Sequence, residues 1–143
     1  MGPSDIDGLD LGVVGNCAVA SLVSRKGRHV WFGFPRLDSD PVFNALLGGS
    51  EPERGFMDVA LTRESHWSQQ YLHNTAILET TGIDANGASV KITDFAPRHE
   101  KFGRSFHPPL LVRRIVPVSG RPRIRLRVRP QFNYGSTTPT CTT

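Results

Sequence analysis

ILETTGIDANGASVKITDF, residues 77–95, decides the fold. Two runs rich in apolar and β-branched residues, ILETTGI and SVKITDF, flank Asp84-Ala85-Asn86-Gly87. Such residues suit the pleated, half-buried surface of a strand. Asn-Gly supplies the positive φ angles of a tight hairpin turn. The stretch therefore reads as an antiparallel hairpin.

The same pattern recurs outward from it. CAVASLVS and HVWFGF flank Arg25-Lys26-Gly27, a second hairpin. Turn signals SRKG (24–27), LGGS (47–50) and VSGRP (118–122) punctuate the rest. Strands are expected at 11–14, 17–23, 29–34, 55–61, 68–73, 76–82, 88–95, 110–117 and 122–129. Many short strands at this spacing predict an all-β, antiparallel β-sandwich. One short helix is expected near 40–47, with Asp40 as cap, Pro41 at its first position and Gly48 behind its last apolar residue. Packing of Val42, Phe43, Leu46 and Leu47 would have to hold so short an element. STTPTCTT (136–143) has no apolar periodicity and is expected to be an irregular tail.

RPRIRLRVRP (121–130) carries Arg121, Arg123, Arg125, Arg127 and Arg129 in alternation with Ile124, Leu126 and Val128. A strand sends successive side chains to opposite faces. The apolar set is expected toward the core and the arginines on an outer face. Arginines about 6.7 Å apart repel by about 0.6 kcal/mol per adjacent pair in water. The ladder therefore asks for anionic neighbours, on an adjoining strand, another domain or a polyanion. It contains no aromatic stacking platform, so the match to a nucleic-acid binder is poor.

The bulk composition agrees with one packed domain: 143 residues, 38% hydrophobic, net charge +4 and pI near 9.6. Most of the positive excess falls in 98–129. The start MGPSDIDGLD has no basic and apolar succession of a secretory signal. No apolar run approaches the ~18 residues of a membrane span. Cys17 and Cys141 form no CxxC or metal spacing. A cytoplasmic chain with reduced thiols, no cofactor and no metal is the expectation.

Chemistry is hard to find in the residues. His29, His66, His73, His99 and His107 show no HExxH spacing and read as surface or loop histidines. No serine sits in a GxSxG elbow. The 13 carboxylates include the pairs DSD (38–40) and EPE (51–53), which read as caps and solvated loops. A glycosidase needs two carboxyls held about 5–10 Å apart, and nothing in the spacing selects such a pair. No catalytic residue is assigned.

LGVVGNCAVASLVSRKGRHVWFGFPRLDSDPVFNALLGG (11–49) resembles the opening of the bacterial glucoamylase- and trehalase-like proteins of glycoside hydrolase family 15. Gly15-Asn16-Cys17, Leu22-Val23-Ser24, Gly27, Trp31, Pro35-Arg36, Asp38-Ser39, Val42-Phe43 and Leu46-Leu47-Gly48-Gly49 follow that family's order. Gln70-Tyr71, Asn74-Thr75, Ile92-Thr93-Asp94-Phe95, Leu111-Val112-Arg113-Arg114 and Pro130/Phe132/Tyr134-Gly135 extend the likeness. Leu37 stands where the family has Phe, and His29-Val30 where it has Ile-Asp.

The resemblance implies an N-terminal sandwich of supersandwich type, here incomplete (1–135), followed by the tail 136–143. It implies a non-catalytic part of an inverting α-glucoside hydrolase, whose two catalytic glutamates lie in a following (α/α)6 barrel. Trp31, Pro35, Arg36, Asp38 and Ser39 are then candidates for a loop facing the barrel or rimming its substrate site, with an α-glucan or oligosaccharide at that rim. The arginines at 121, 123, 125, 127 and 129 are candidates for an interdomain basic face. Missing strands would leave edges prone to self-association. The alternative is a free-standing carbohydrate-binding sandwich with Trp31, Trp67 and Tyr71 as sugar platforms. Neither reading includes nucleic acid or a membrane.

Overall fold

The computed structural model describes residues 9–48, 52–137 and 139–142. Residues 1–8, Gly49 and Ser50 of the LGGS turn, Glu51 of EPE, and Thr138 and Thr143 of the tail lie outside that set.

The nine expected strands are present. They are β1 (Gly12–Gly15), β2 (Ala20–Val23), β3 (His29–Gly33), β5 (Phe56–Leu61), β6 (Glu64–Tyr71), β7 (Leu78–Asp84), β8 (Ser89–Phe95), β11 (Val112–Ser119) and β12 (Ile124–Arg129). Three short strands were not expected: β4 (Pro41–Phe43), β9 (His99–Lys101) and β10 (Arg104–Phe106). Among the described residues they form a six-stranded sheet in the order β1-β2-β3-β5-β12 with β4 also on β3, a four-stranded sheet β11-β8-β7-β6, and the ribbon β10-β9. Every pairing is antiparallel.

The two large sheets pack face to face and cross. Tyr71 of β6 meets β1, its hydroxyl accepting from Val13 N at 2.7 Å and donating to Val13 O at 2.9 Å. Trp67, four residues back, lies with Leu61 of β5 against Gly82, where a Cβ would sit 2.5 Å from the indole and 2.7 Å from Leu61. So β6 runs across the strands of the larger sheet. Between the sheets, Val14, Val23 and Leu78 form one apolar cluster and Val19, Phe32 and Phe43 another, with Leu111 touching both. A third cluster, Val30, Ala45 and Phe56 with Leu11, Leu22 and Leu46, covers the far face of the larger sheet.

The helix expected at 40–47 is replaced by two other elements. Pro41 and Phe43 pair with Gly33 and Phe32 as β4, and only Ala45–Leu47 makes a 3-10 turn. Asp40 does not cap it; Asn44 precedes it without a side-chain cap bond. The backbone amides of Asn44 and Ala45 instead donate to Gly55 O at 3.0 and 2.9 Å. Proline preset the φ angle for either outcome, and burying Phe43 between the sheets favoured the strand.

The expectation for β12 holds in direction and fails in burial. Residues directly opposite on paired strands share a face. Ile124, Leu126 and Val128 lie opposite Leu61, Val59 and Met57, the inward set of β5. Yet they remain 42, 53 and 54% exposed, because β12 is the last strand of its sheet and extends past the cover of the other. Arg127 lies on the outer face as expected, half-buried against Asp58.

Candidate functional site

A cross-sheet polar network occupies the centre of the sandwich. Ser21 and His29, on β2 and β3, face Asp94 and Arg113, on β8 and β11. Ser21 Oγ lies 2.6 Å from His29 Nδ1 and donates its proton to Trp31 O at 2.8 Å. Nε2 stands 3.3 Å from Asp94 Oδ1, too poorly aligned for a hydrogen bond. Arg113 grips Asp94 with Nε at 2.7 Å and Nη2 at 2.8 Å, and Nη2 also reaches Gly27 O at 2.5 Å. The expectation that every histidine is a surface or loop residue is therefore corrected: His29 is fully buried.

Burial sets the protonation of this network. Desolvation is the largest influence on His29 and lowers its pKa below the usual 6.5, against the contact with Asp94, with the charge of Arg113 adding to the fall. Burial raises the Asp94 carboxyl, but the hydrogen bonds from Arg113 and the interaction with His29 outweigh it and hold the pKa below 3.8. The trio resembles a Ser-His-Asp triad in composition alone. Ser21, His29 and Asp94 are each 0% exposed, so no substrate reaches Oγ. Its role is to join the sheets.

A second network lies on the outer face of the larger sheet. Asp58 of β5 accepts from Arg127 Nε at 2.8 Å, Arg127 Nη2 at 2.5 Å and Arg28 Nε at 3.0 Å. The hydrogen bonds that Arg127 donates to Asp58 raise its pKa further, against its partial burial. Arg28, Arg127 and Arg129 stack over the Phe56 ring at 4.8, 5.1 and 5.9 Å. Arg129 also donates to Glu53 O at 3.1 Å. The anionic neighbour that the ladder asked for is thus, at Arg127, on the adjoining strand.

Asp58 and Glu64 line one small groove with Lys26, Arg28, Trp67 and Arg127. Glu64 is bound to Lys26 Nζ at 2.6 Å and to Trp67 Nε1 at 2.9 Å. Burial raises its pKa, but these two donors prevail and hold it below the ordinary value. A glycosidase needs one carboxyl kept protonated as acid. Here every carboxylate oxygen of the pair is occupied by a donor, and the pair does not suit that role.

The expected rim loop is brought together, at the surface. Trp31 is half-buried in β3 opposite Leu22. Pro35 follows a cis peptide bond. Arg36 Nη2 pairs with Asp38 Oδ2 at 3.0 Å, and Ser39 Oγ accepts from Arg36 N at 3.2 Å while Ser39 N donates to Arg36 O at 3.1 Å. The loop is therefore a self-capped turn. Of the expected basic face, Arg125, Arg127 and Arg129 share a side with Ala60, Asp58 and Phe56, whereas Arg121 and Arg123 precede β12 and line a separate groove.

Asn16, overlooked in the sequence except as part of a motif, is the hinge pin of a projecting arm. Its Nδ2 donates to Pro97 O and Pro108 O, both at 2.8 Å, gripping the two legs of the β9–β10 ribbon. Its Oδ1 accepts from Ala18 N and Val19 N at 3.0 and 3.1 Å. Gly15 beside it leaves no room for a side chain, since a Cβ would lie 2.7 Å from Val19 O. At the ribbon tip Phe102 is 90% exposed. Asparagine beside glycine is an ordinary turn signal, and nothing local points to residues 81 and 92 positions away.

Fold and networks together define a crossed β-sandwich module whose buried serine, histidine and aspartate are structural. The chain belongs to the trehalase-like N-terminal family, whose model matches residues 4–141. It is 33% identical over 128 residues to Trehalase 1 of Sulfolobus acidocaldarius, covering 87% of this chain and 20% of that protein. It is 26% identical over 117 residues to Trehalase 2 of the same organism, covering 82% of this chain and 18% of that protein. The chain thus spans about a fifth of the length of these curated relatives. No solved structure matches it.

Proposed function

We propose that this domain is the non-catalytic N-terminal sandwich of a trehalase-type hydrolase of glycoside hydrolase family 15. In this reading it packs against and supports an (α/α)6 barrel that performs inverting hydrolysis of an α-glucosidic bond in the cytoplasm. In this reading the sandwich proper ends near 135, with 136–143 as an irregular tail. The observation that carries the reading is the match of 87% of this chain to only 20% of a trehalase. The paired state of Asp58 and Glu64 and the closed Ser21-His29-Asp94 network support a non-catalytic role. The 31–39 loop, with Arg36 and Asp38 exposed, is the surface this reading turns toward the barrel, and Arg125 and Arg129 on the outer side of β12 are its basic interdomain contacts.

Trehalose and maltose hydrolysis by the isolated chain tests the proposal, beside a longer protein that includes the barrel. Turnover only in the longer protein is expected. Robust turnover by the chain alone would sink it. For the carbohydrate-module alternative, Trp67 and Tyr71 have their polar atoms bonded to Glu64 and Val13, while Tyr71 keeps 47% of its surface exposed.

A further inference from the structure

Arg121 and Arg123 leave the arginine ladder and turn into a groove of about 320 Å3, shared with Thr62, Arg63, Asp84 and Asn86. Three turns build it: β5–β6 supplies Thr62 and Arg63, β7–β8 supplies Asp84 and Asn86, and the approach to β12 supplies the other two arginines. Backbone bonds fix the turns to one another. Thr62 N donates to Arg123 O at 3.1 Å, and Ala85 N donates to Arg63 O at 2.8 Å. Arg63 is held at φ 57, in the left-handed region that a long side chain disfavours. It is the second residue of the two-residue β5–β6 loop, a position where hairpin turns call for positive φ.

The charge in this groove is unbalanced. Among the described residues, the guanidiniums of Arg63, Arg121 and Arg123 have no ion pair or side-chain hydrogen bond, and neither do the side chains of Thr62 and Asn86. Among the described residues Asp84 is the one acid lining the groove, and its Oδ1 is taken by the amides of Asn86 at 2.8 Å and Ala88 at 3.0 Å. Three cations against one anion leave +2. Arg113, by contrast, has Asp94, and Arg28 and Arg127 share Asp58. Three arginines lining one groove with unmatched charge suit a phosphate, which accepts from several guanidinium forks at once.

We propose that this groove binds a small phosphate-bearing anion, a phosphate monoester or free phosphate. The volume leaves room for a compact body attached to the phosphate, at the lower end of the usual range for ligand pockets. The site is independent of any glucosidase role for the parent protein.

The test follows the arginine Nε–H signals of the whole chain by NMR at low ionic strength during titration with inorganic phosphate. Saturable shifts at Arg63, Arg121 and Arg123 are expected, with a Kd of about a millimolar or tighter. Replacing all three by Gln should weaken binding at least about tenfold, the effect of losing charge-assisted hydrogen bonds. A control with equal charge loss, Lys101→Gln/Arg104→Gln/Arg114→Gln, should keep it within about twofold. Arg63→Gly separates the two roles of that residue: it should raise the melting temperature while weakening phosphate binding. Glucose 6-phosphate binding more tightly than inorganic phosphate would identify a monoester as the ligand, and equal affinity would identify free phosphate. Unsaturable shifts, equal weakening in the control, or binding of a short DNA duplex with which phosphate does not compete would each overturn the proposal.

Discussion

Arg113→Leu is the sharpest probe of the interior. The guanidinium is nearly buried, and its removal strands the fully buried Asp94 carboxylate, which keeps only His29 nearby. Breaking a buried pair from one side costs about 3–5 kcal/mol, a large part of the roughly 5–15 kcal/mol that holds a domain together. For a chain of this size the melting temperature should fall by roughly 10–20 °C. Urea unfolding measures the change, with the midpoint lowered and the slope preserved. Its pH dependence is the stricter check. In the parent chain the Asp94 pKa is depressed, so its contribution is present above the unfolded value of 3.8 and lost as pH falls through the folded value. His29 is also depressed, so the unfolded chain takes up its proton first and stability declines as pH drops below 6.5 toward the folded value. In the variant Asp94 no longer has its strongest reason to stay ionised. The gap between variant and parent should therefore be widest near neutrality and narrow in acid. A loss under about 1 kcal/mol, or a gap that ignores pH, would refute the reasoning.

Two further outcomes are expected. Asn16→Ala should cost about 1–3 kcal/mol through lost buried hydrogen bonds and raise hydrogen exchange selectively across 97–108; a uniform rise would contradict a local clamp. The parent chain should self-associate with concentration in sedimentation experiments, through the bare edge and apolar face of β12. Leu126→Lys should suppress that association with less than about 0.5 kcal/mol change in stability, whereas a parent monomeric at every concentration would remove the edge from consideration.

The strands were legible because alternation and turn chemistry are local. Asn86-Gly87 announces its hairpin wherever it sits, and Gly87 indeed has φ 80. The helix at 40–47 misled for the same reason: Asp-Pro and a trailing Gly are local cues, while the pairing of Phe43 with Phe32 comes from β3. The side-chain networks had no local trace. His29 and Asp94 are 65 residues apart, and Asp58 and Arg127 are 69 apart, so only the finished sheets show which charge answers which. The arginine ladder was legible as a strand but not as two sites. Its division depends on where β12 begins, and on Arg63 arriving from another turn.

The central network also guards the chain against mispairing. A slip of one residue between β2 and β3 would turn His29 away from the interior and put its neighbour Val30 against the carboxylate. Asp94 and Arg113 would then face hydrocarbon where the imidazole Nε2 had stood. Hydrophobic residues alone tolerate such errors, since valine packs nearly as well in either seat. A buried charge does not, and wrong pairings of these two strands would be discarded early in folding.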